Sequence, residues 1–386
     1  MNVFLLPLEI STDIESTMAR FWWNSSSKEN KGIPWMSWER MCHSKNNGGL
    51  GFRNLRDFNL ALLGKQGWRF LTRPESLVSR IFKAQYFPTG TYLSAPIGNN
   101  PSFVWRSVWE AKSLVRAGIR WNVGNGSSIS VLNEPWLLDP NKPFVTSSPP
   151  ALQQALVCNL MSMDKNSWDA EILKDLFDDR EQRLINKIPL CSNQSSDILY
   201  WFKEPTGVYT VKSAYQLLQS LKGLCDEMEA SVFWRSLWSL KLPPKIKNLM
   251  WRVGSNCLPT LVQLATKCVP VNTRCPLCEE VDESITHILL TCRVVKQVWE
   301  RVGIGTLMAV AGDGFLDWCI NVFKTLTAEK QCLATALCWA VWGARNDVVW
   351  QGKPVNISAI VASAKIYLDQ WQHAQKTQIE SSWADL

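Results

Sequence analysis

Four residues constrain this chain more than any other feature: Cys275, Cys278, His287 and Cys292, in the spacing Cys-x2-Cys-x8-His-x4-Cys. Two cysteines separated by two residues fit one tight turn, which presents two sulfurs to a single point. A His and a third Cys follow within 18 residues, in a chain with only three histidines. Three thiolates and one imidazole fill a tetrahedral shell, the donor set of structural zinc sites, so one structural Zn2+ is expected here. A shell closed by four protein ligands leaves no position for an activated water, which argues against chemistry at the metal. His287 and Cys292 are five apart and cannot share one α-helical face, so a break is expected between them, with Thr291 capping a new helix from Cys292 towards Trp299. Cys257 and Cys268 lie nearby but are not needed by the metal, and both read as small buried hydrophobes.

The rest of the 12 cysteines are scattered through 386 residues. The N-terminus MNVFLLPLEI has no basic region before its apolar run, so it does not read as a secretory signal, and a reducing compartment suits the cysteines better than disulfides do. The most apolar stretch, Leu333 to Ala344, is shorter than the ~18 to 20 residues of a spanning helix. The 21 tryptophans outnumber the 14 phenylalanines and 6 tyrosines combined. Much of the core is therefore expected to be built on Trp.

Hydrophobic periodicity predicts a mainly α protein with two small β-hairpins, in which a zinc-stapled helical module follows a longer helical region. Leu55, Phe58, Leu62 and Leu63 share one helical face, and the break Gly48-Gly49-Leu50-Gly51 precedes them. IRWNV and SISVL around Gly124-Asn125-Gly126 read as the first hairpin. LYWFK and GVYTV around Glu204-Pro205-Thr206-Gly207 read as the second. Pro140 to Pro150 reads as a linker. After Pro243-Pro244, a basic helix is expected to turn Ile246, Leu249 and Met250 inward, and Cys332 to Trp350 reads as an apolar helix.

The formal net charge of +7 hides segregation. Residues 28–83 carry 11 basic and 4 acidic side chains, residues 134–204 carry 7 and 11, and residues 235–274 carry 7 basic and no acidic ones. A basic block with interleaved aromatics is the footprint of phosphate-backbone binding. Lys241, Lys245, Lys247, Arg252 and Arg274 are the candidate contacts, with RNA or DNA as the partner.

Long stretches resemble the C-terminal region of plant non-LTR (long-interspersed-element-type) retrotransposon reverse transcriptases. They are FLLP at Phe4 to Pro7, RFWWN at Arg20 to Asn24, and GGLGFRNLRDFNLALLGKQGWR at Gly48 to Arg69. VGNGSSISVLNEPW at Val123 to Trp136 and WFKEPTGVYTVKSAY at Trp201 to Tyr215 follow, and FWRSLWSLKLPPKIKNLMWR leads into the Cys/His cluster. WAVWGARNDVVW at Trp339 to Trp350 completes the set. The resemblance implies a reverse-transcriptase zinc-binding domain over 195–305. Residues 1–118 would be a helical region like the polymerase thumb end and connection. Residues 119–194 would hold a hairpin, the Pro/Ser linker and an acidic helical segment, and 306–386 the C-terminal helices. A nuclear location is the family-level expectation.

In that family a polymerase lies N-terminal to this region and often an RNase H domain C-terminal to it. Nucleotidyl transfer needs palm carboxylates on a hairpin to hold two metal ions. The only adjacent Asp pair, Asp178-Asp179, has a helical context. An RNase H core would need several acidic residues beyond Trp350, where only Asp369, Glu380 and Asp385 remain. Both catalytic parts are thus expected to be absent. A Cys-His hydrolase built on Cys42 with His43, or on His373, lacks the geometry, because adjacent helical residues point apart. The expected function is that of a non-catalytic, zinc-binding, nucleic-acid-binding accessory fragment. The competing reading is a protein-interaction module in which zinc only stabilises the fold.

Overall fold

The computed structural model describes residues 1–24, 32–163, 167–190, 195–223, 228–304 and 314–384. Lys28, Glu29, Lys31, Asp164 and Lys165, which enter the charge counts above, and Asp385, which enters the reading of the tail, lie outside them, as does the side chain of Glu380. In chain order the helices and strands are α1 (Leu8–Trp23), α2 (Trp38–Cys42), α3 (Leu55–Thr72), α4 (Leu77–Tyr86), α5 (Phe103–Glu110), α6 (Lys112–Gly118), β1 (Ile119–Asn122), α7 (Ala170–Leu176), α8 (Asp179–Ile185), β2 (Ile198–Trp201), α9 (Val211–Leu221), α10 (Met228–Ser239), α11 (Pro244–Gly254), α12 (Leu261–Thr266), α13 (Arg293–Arg301), α14 (Phe315–Thr325), α15 (Ala328–Gln351) and α16 (Ile357–Ala384). The fold is mainly helical, as the periodicity predicts. No helix among the described residues is long and apolar enough to cross a membrane.

The chain packs into two compact units. One comprises Met1–Thr12 and Leu55–Leu224, the other Asp13–Asn54 and Cys225–Leu386. These units follow packing rather than composition: α9 falls in the first, and the C-terminal helices join the Cys/His cluster in the second.

In the first unit α3 packs on α5, α6 and α9. Trp105, Trp201, Tyr92 and Tyr209 are all but fully buried there. Each buried polar tip has a partner, as burial requires. The Tyr209 hydroxyl donates to the Ala61 carbonyl at 2.7 Å, and the Tyr92 hydroxyl to that of Val108 at 2.7 Å. Gly64 sits mid-helix because a Cβ there would run into the Tyr209 hydroxyl. Its helix penalty of about 1 kcal/mol is offset by that close approach. A second cluster of the same unit gathers Ile129, Val131, Trp136, Leu160 and Ile185.

The two expected hairpins are corrected to one long-range sheet. β1 pairs antiparallel with β2, Ile119 opposite Trp201 and Asn122 opposite Ile198. The reason is Asp197, whose carboxylate accepts the backbone N–H groups of Gly124, Gly126 and Ser128 at 2.8, 2.9 and 2.9 Å. The Gly-Asn-Gly turn is therefore tied to the residue that precedes β2, and its donors are satisfied without a local partner strand. The SISVL segment pairs instead with residues 155–157, Val157 N–H to Ile129 O at 2.9 Å and Val131 N–H to Ala155 O at 3.0 Å. Glu204 to Gly207 does form a tight turn, with Gly207 at φ +69°. The chain then enters α9 rather than returning as a strand.

In the second unit α15 packs on α11 and α16, and α13 on α16. Ile246, Leu249 and Met250 of α11 are buried, as expected. Ala334, Ala336, Leu337, Cys338, Ala340 and Val341 make α15 an inner helix, apolar on most sides. Six tryptophans, Trp105, Trp136, Trp201, Trp251, Trp299 and Trp318, are among the largest fully buried side chains of the two units, which places the core on Trp as predicted.

Candidate metal centre

Cys275 and Cys278 sit in a knuckle held by two short backbone rungs. Cys275 N–H donates to Val281 O at 2.8 Å, and Glu283 N–H to Thr273 O at 2.7 Å. The turn between them closes through Glu279, whose N–H reaches Cys275 O at 2.8 Å with φ at +59°. Pro276 has no N–H, so the amides of Leu277 and Cys278 turn onto the Cys275 sulfur.

His287 opens a π-type turn, His287–Thr291. Its carbonyl accepts the N–H of Cys292 at 2.9 Å, an i to i+5 bond. That wider turn brings residues five apart to the same side, which an α-helix does not. The expected break is there, but its form differs. Cys292 itself is the N-cap of α13, and Thr291 caps nothing, because its hydroxyl faces the His287 ring, 3.4 Å from Nδ1. The amides of Val294 and Val295 point at the Cys292 sulfur.

All four side chains are buried, and their ligand atoms lie within 4.8 Å of one another. Zn–S bonds of about 2.3 Å in a tetrahedron put sulfurs about 3.8 Å apart, so the set is the right size for zinc. Cys278 Sγ lies 3.3 Å from His287 Nε2, so Nε2 is the nitrogen placed to hold a metal, while Nδ1 lies 3.4 Å from the Thr291 hydroxyl. A hydrogen bond from Cys275, joined by the α13 amides, lowers the pKa of the Cys292 thiol against the effect of burial. The same shared proton, with burial, pushes Cys275 up.

Between the ligands lies a contact that sequence reasoning missed. The Glu283 carboxylate is fully buried and meets Arg345 of α15 in a bidentate pair, Oε1 to Nε at 2.6 Å and Oε2 to Nη2 at 2.7 Å. Oε2 also accepts Leu261 N–H at the start of α12, at 2.7 Å. The metal loop is thus fixed to two helices through one carboxylate. The signal in the sequence was an Arg directly after the apolar run Leu333 to Ala344.

The five candidate nucleic-acid contacts are spread around this module. Lys241 and Arg274 are exposed, and Arg274 donates to the Glu280 carbonyl at 2.5 Å. Lys245 lies over the Trp339 and Tyr367 rings at 4.5 and 4.0 Å. Lys247 is half-buried, donates to the Trp238 carbonyl at 2.8 Å, and is lowered in pKa by that burial. Arg252 reaches Asn248 Oδ1 at 3.2 Å and the Trp23 ring. Among the described residues none of the five pairs with a carboxylate. Cys257 is buried as expected, whereas Cys268 is exposed at φ +59°, because it follows the end of α12 in a left-handed turn. Asp178 caps α8, its carboxylate accepting Glu181 N–H at 2.7 Å, and Asp179 begins that helix.

The family described as zinc-binding in reverse transcriptase matches residues 209–299, which include all four candidate ligands. An uncharacterized mitochondrial protein of Arabidopsis thaliana is 36% identical over 140 residues, 36% of this chain and 90% of that protein. Another Arabidopsis thaliana protein, whose name assigns it provisionally to ribonuclease H, is 25% identical over 314 residues. That match takes in 78% of this chain but spans only about half, 49%, of the relative. The motifs, the ligand cluster and these relatives agree: the chain belongs to the plant retrotransposon reverse-transcriptase family and carries its zinc-binding region.

Proposed function

We propose that this chain is a non-catalytic accessory region that grips nucleic acid beside a retroelement polymerase, with a single zinc as its structural staple. The observation that supports the structural role is the cluster of four buried candidate ligands within 4.8 Å of one another, which together would fill a tetrahedral shell and leave no position for a substrate or an activated water. Structural zinc in small modules contributes about 10–16 kcal/mol, as much as a whole domain's stability, so the module would not hold together without it. Nucleic-acid binding draws support from the acid-free basic block of residues 235–274 and from its candidate cations, which among the described residues find rings and carbonyls but no carboxylate. The non-catalytic reading draws support from Asp178, whose carboxylate is used to cap a helix.

A filter-binding titration against RNA at several salt concentrations tests this. The expected result is tight retention at low salt with a steep log–log slope, reduced when Lys241, Lys245, Lys247 and Arg252 become Ala while zinc is kept. The competing interaction-module reading is favoured by the engagement of Lys245, Lys247 and Arg252 with their own chain. No retention at low salt would decide for it.

A further inference from the structure

We infer that the first unit carries a separate binding groove for single-stranded nucleic acid, walled by the end of α3 on one side and by β2 and the turn after it on the other. It extends the nucleic-acid reading to a second surface and does not depend on the cations around the zinc site. The groove encloses about 710 Å3. Lys65, Arg69 and Arg73 line its helical wall. They are spaced four apart, and the backbone bond from Arg73 N–H to Arg69 O carries the helical turn on to the third. They therefore form one stripe with a step of about 6 Å, close to the separation of successive phosphates along a strand. All three are exposed, and among the described residues none has an ion pair or a side-chain hydrogen bond. Among the described residues no carboxylate lines the groove. Three unneutralised cations facing one cleft leave an external polyanion as the matching partner.

The opposite wall has a different chemistry. Ile198 and Val208 are more than half exposed, and Tyr200 lies between them, half-buried. Among the described residues nothing pairs at Leu199 with the edge of β2 that faces away from β1. Phe202 N–H donates to Gly118 beside β1, whereas Trp201 N–H points the other way, to Gly207 O at 2.7 Å, so by alternation Leu199 presents its N–H and C=O outward. Phosphates on the basic stripe would set bases against an apolar, tyrosine-bearing wall with free backbone groups, the combination that binds single strands without sequence preference.

The test uses the full chain and a fluorescein-labelled 12-nucleotide single-stranded RNA, followed by anisotropy between 50 and 300 mM salt. The variant is Lys65→Gln, Arg69→Gln and Arg73→Gln together, exposed changes that keep helix-favouring side chains. The log–log salt slope is expected to fall by about 2, at about 0.7 per lost phosphate contact, with affinity at low salt down about tenfold or more. Val208→Glu is a second variant that keeps all three cations and adds a carboxylate to the facing wall, and it is expected to weaken binding as well. An abasic strand and a duplex of the same length should both compete less well than the intact single strand. Unchanged slope and affinity in the Val208→Glu protein, or in a triple variant with an unaltered melt, would overturn the inference. So would equal competition by the duplex, by the abasic strand, or by an extended polyglutamate peptide of matched charge. The two nucleic-acid surfaces are separable: loss in the groove variants with none in the Lys241, Lys245, Lys247, Arg252 variant supports this groove and removes the other surface.

Discussion

Replacing Arg345 with Met should be among the most damaging single changes in the second unit. Arg345 and Glu283 are almost wholly out of water, at 3% and 0% exposure. Their pair has two bonds of 2.6 and 2.7 Å, with Leu261 N–H as a third donor to the carboxylate. Methionine fills much of the removed volume, so the cavity term is small. What remains is a buried carboxylate with one neutral donor in place of a bidentate cation. Breaking a buried pair from one side costs about 3–5 kcal/mol. A unit of this size loses about 2–4 °C per kcal/mol, which puts the fall in its melting temperature at roughly 6–20 °C. The double variant Glu283→Gln, Arg345→Met removes both charges and should recover more than half of that loss. Differential scanning calorimetry of the zinc-loaded protein reads both. A fall of under about 2 °C in the single variant would refute the argument that the ion pair fixes the metal loop to α15. A double variant no better than the single one would refute it equally.

Three further outcomes follow from particular contacts. Thr291→Val removes the partner of His287 Nδ1 without touching a ligand and should weaken zinc binding about 10- to 100-fold in a chelator competition, with Thr291→Ser restoring most of it. Gly64→Ala should destabilise the first unit by about 1–3 kcal/mol in a urea titration, since the new methyl meets the Tyr209 hydroxyl, and Tyr209→Phe in the same chain should relieve part of the loss. Asp197→Ala strips three backbone donors of their acceptor and should cost about 1–3 kcal/mol, with hydrogen exchange quickening first at Gly124, Gly126 and Ser128; unchanged exchange there would show that the turn holds without the carboxylate.

What the sequence made legible was local. The clustering of the four candidate ligands could be read because Cys275 and Cys278 share one turn, and because His287 and Cys292 follow within 14 residues of them. The inward face of α11 could be read because Ile246, Leu249 and Met250 repeat at helical spacing after Pro243-Pro244. The strand pairing was illegible because Asp197, more than 70 residues from the turn it ties down, decides it. Nothing in IRWNV-GNGS-SISVL announces that the turn's donors are satisfied from so far away. The link between Glu283 and Arg345 is hidden in the same way, across 62 residues. Thr291 misled because a Thr before a helix is a common cap, whereas here the π-type turn directs its hydroxyl to the imidazole.

The most direct test of the central claim is zinc X-ray absorption on the full chain purified without chelator, combined with elemental analysis. One zinc per chain is expected, with three sulfurs at about 2.3 Å and one imidazole nitrogen at about 2.0–2.1 Å, and with no exchangeable oxygen in the shell. Protein without zinc, or a shell in which water replaces Cys275, Cys278, His287 or Cys292, would contradict the account of a closed structural site.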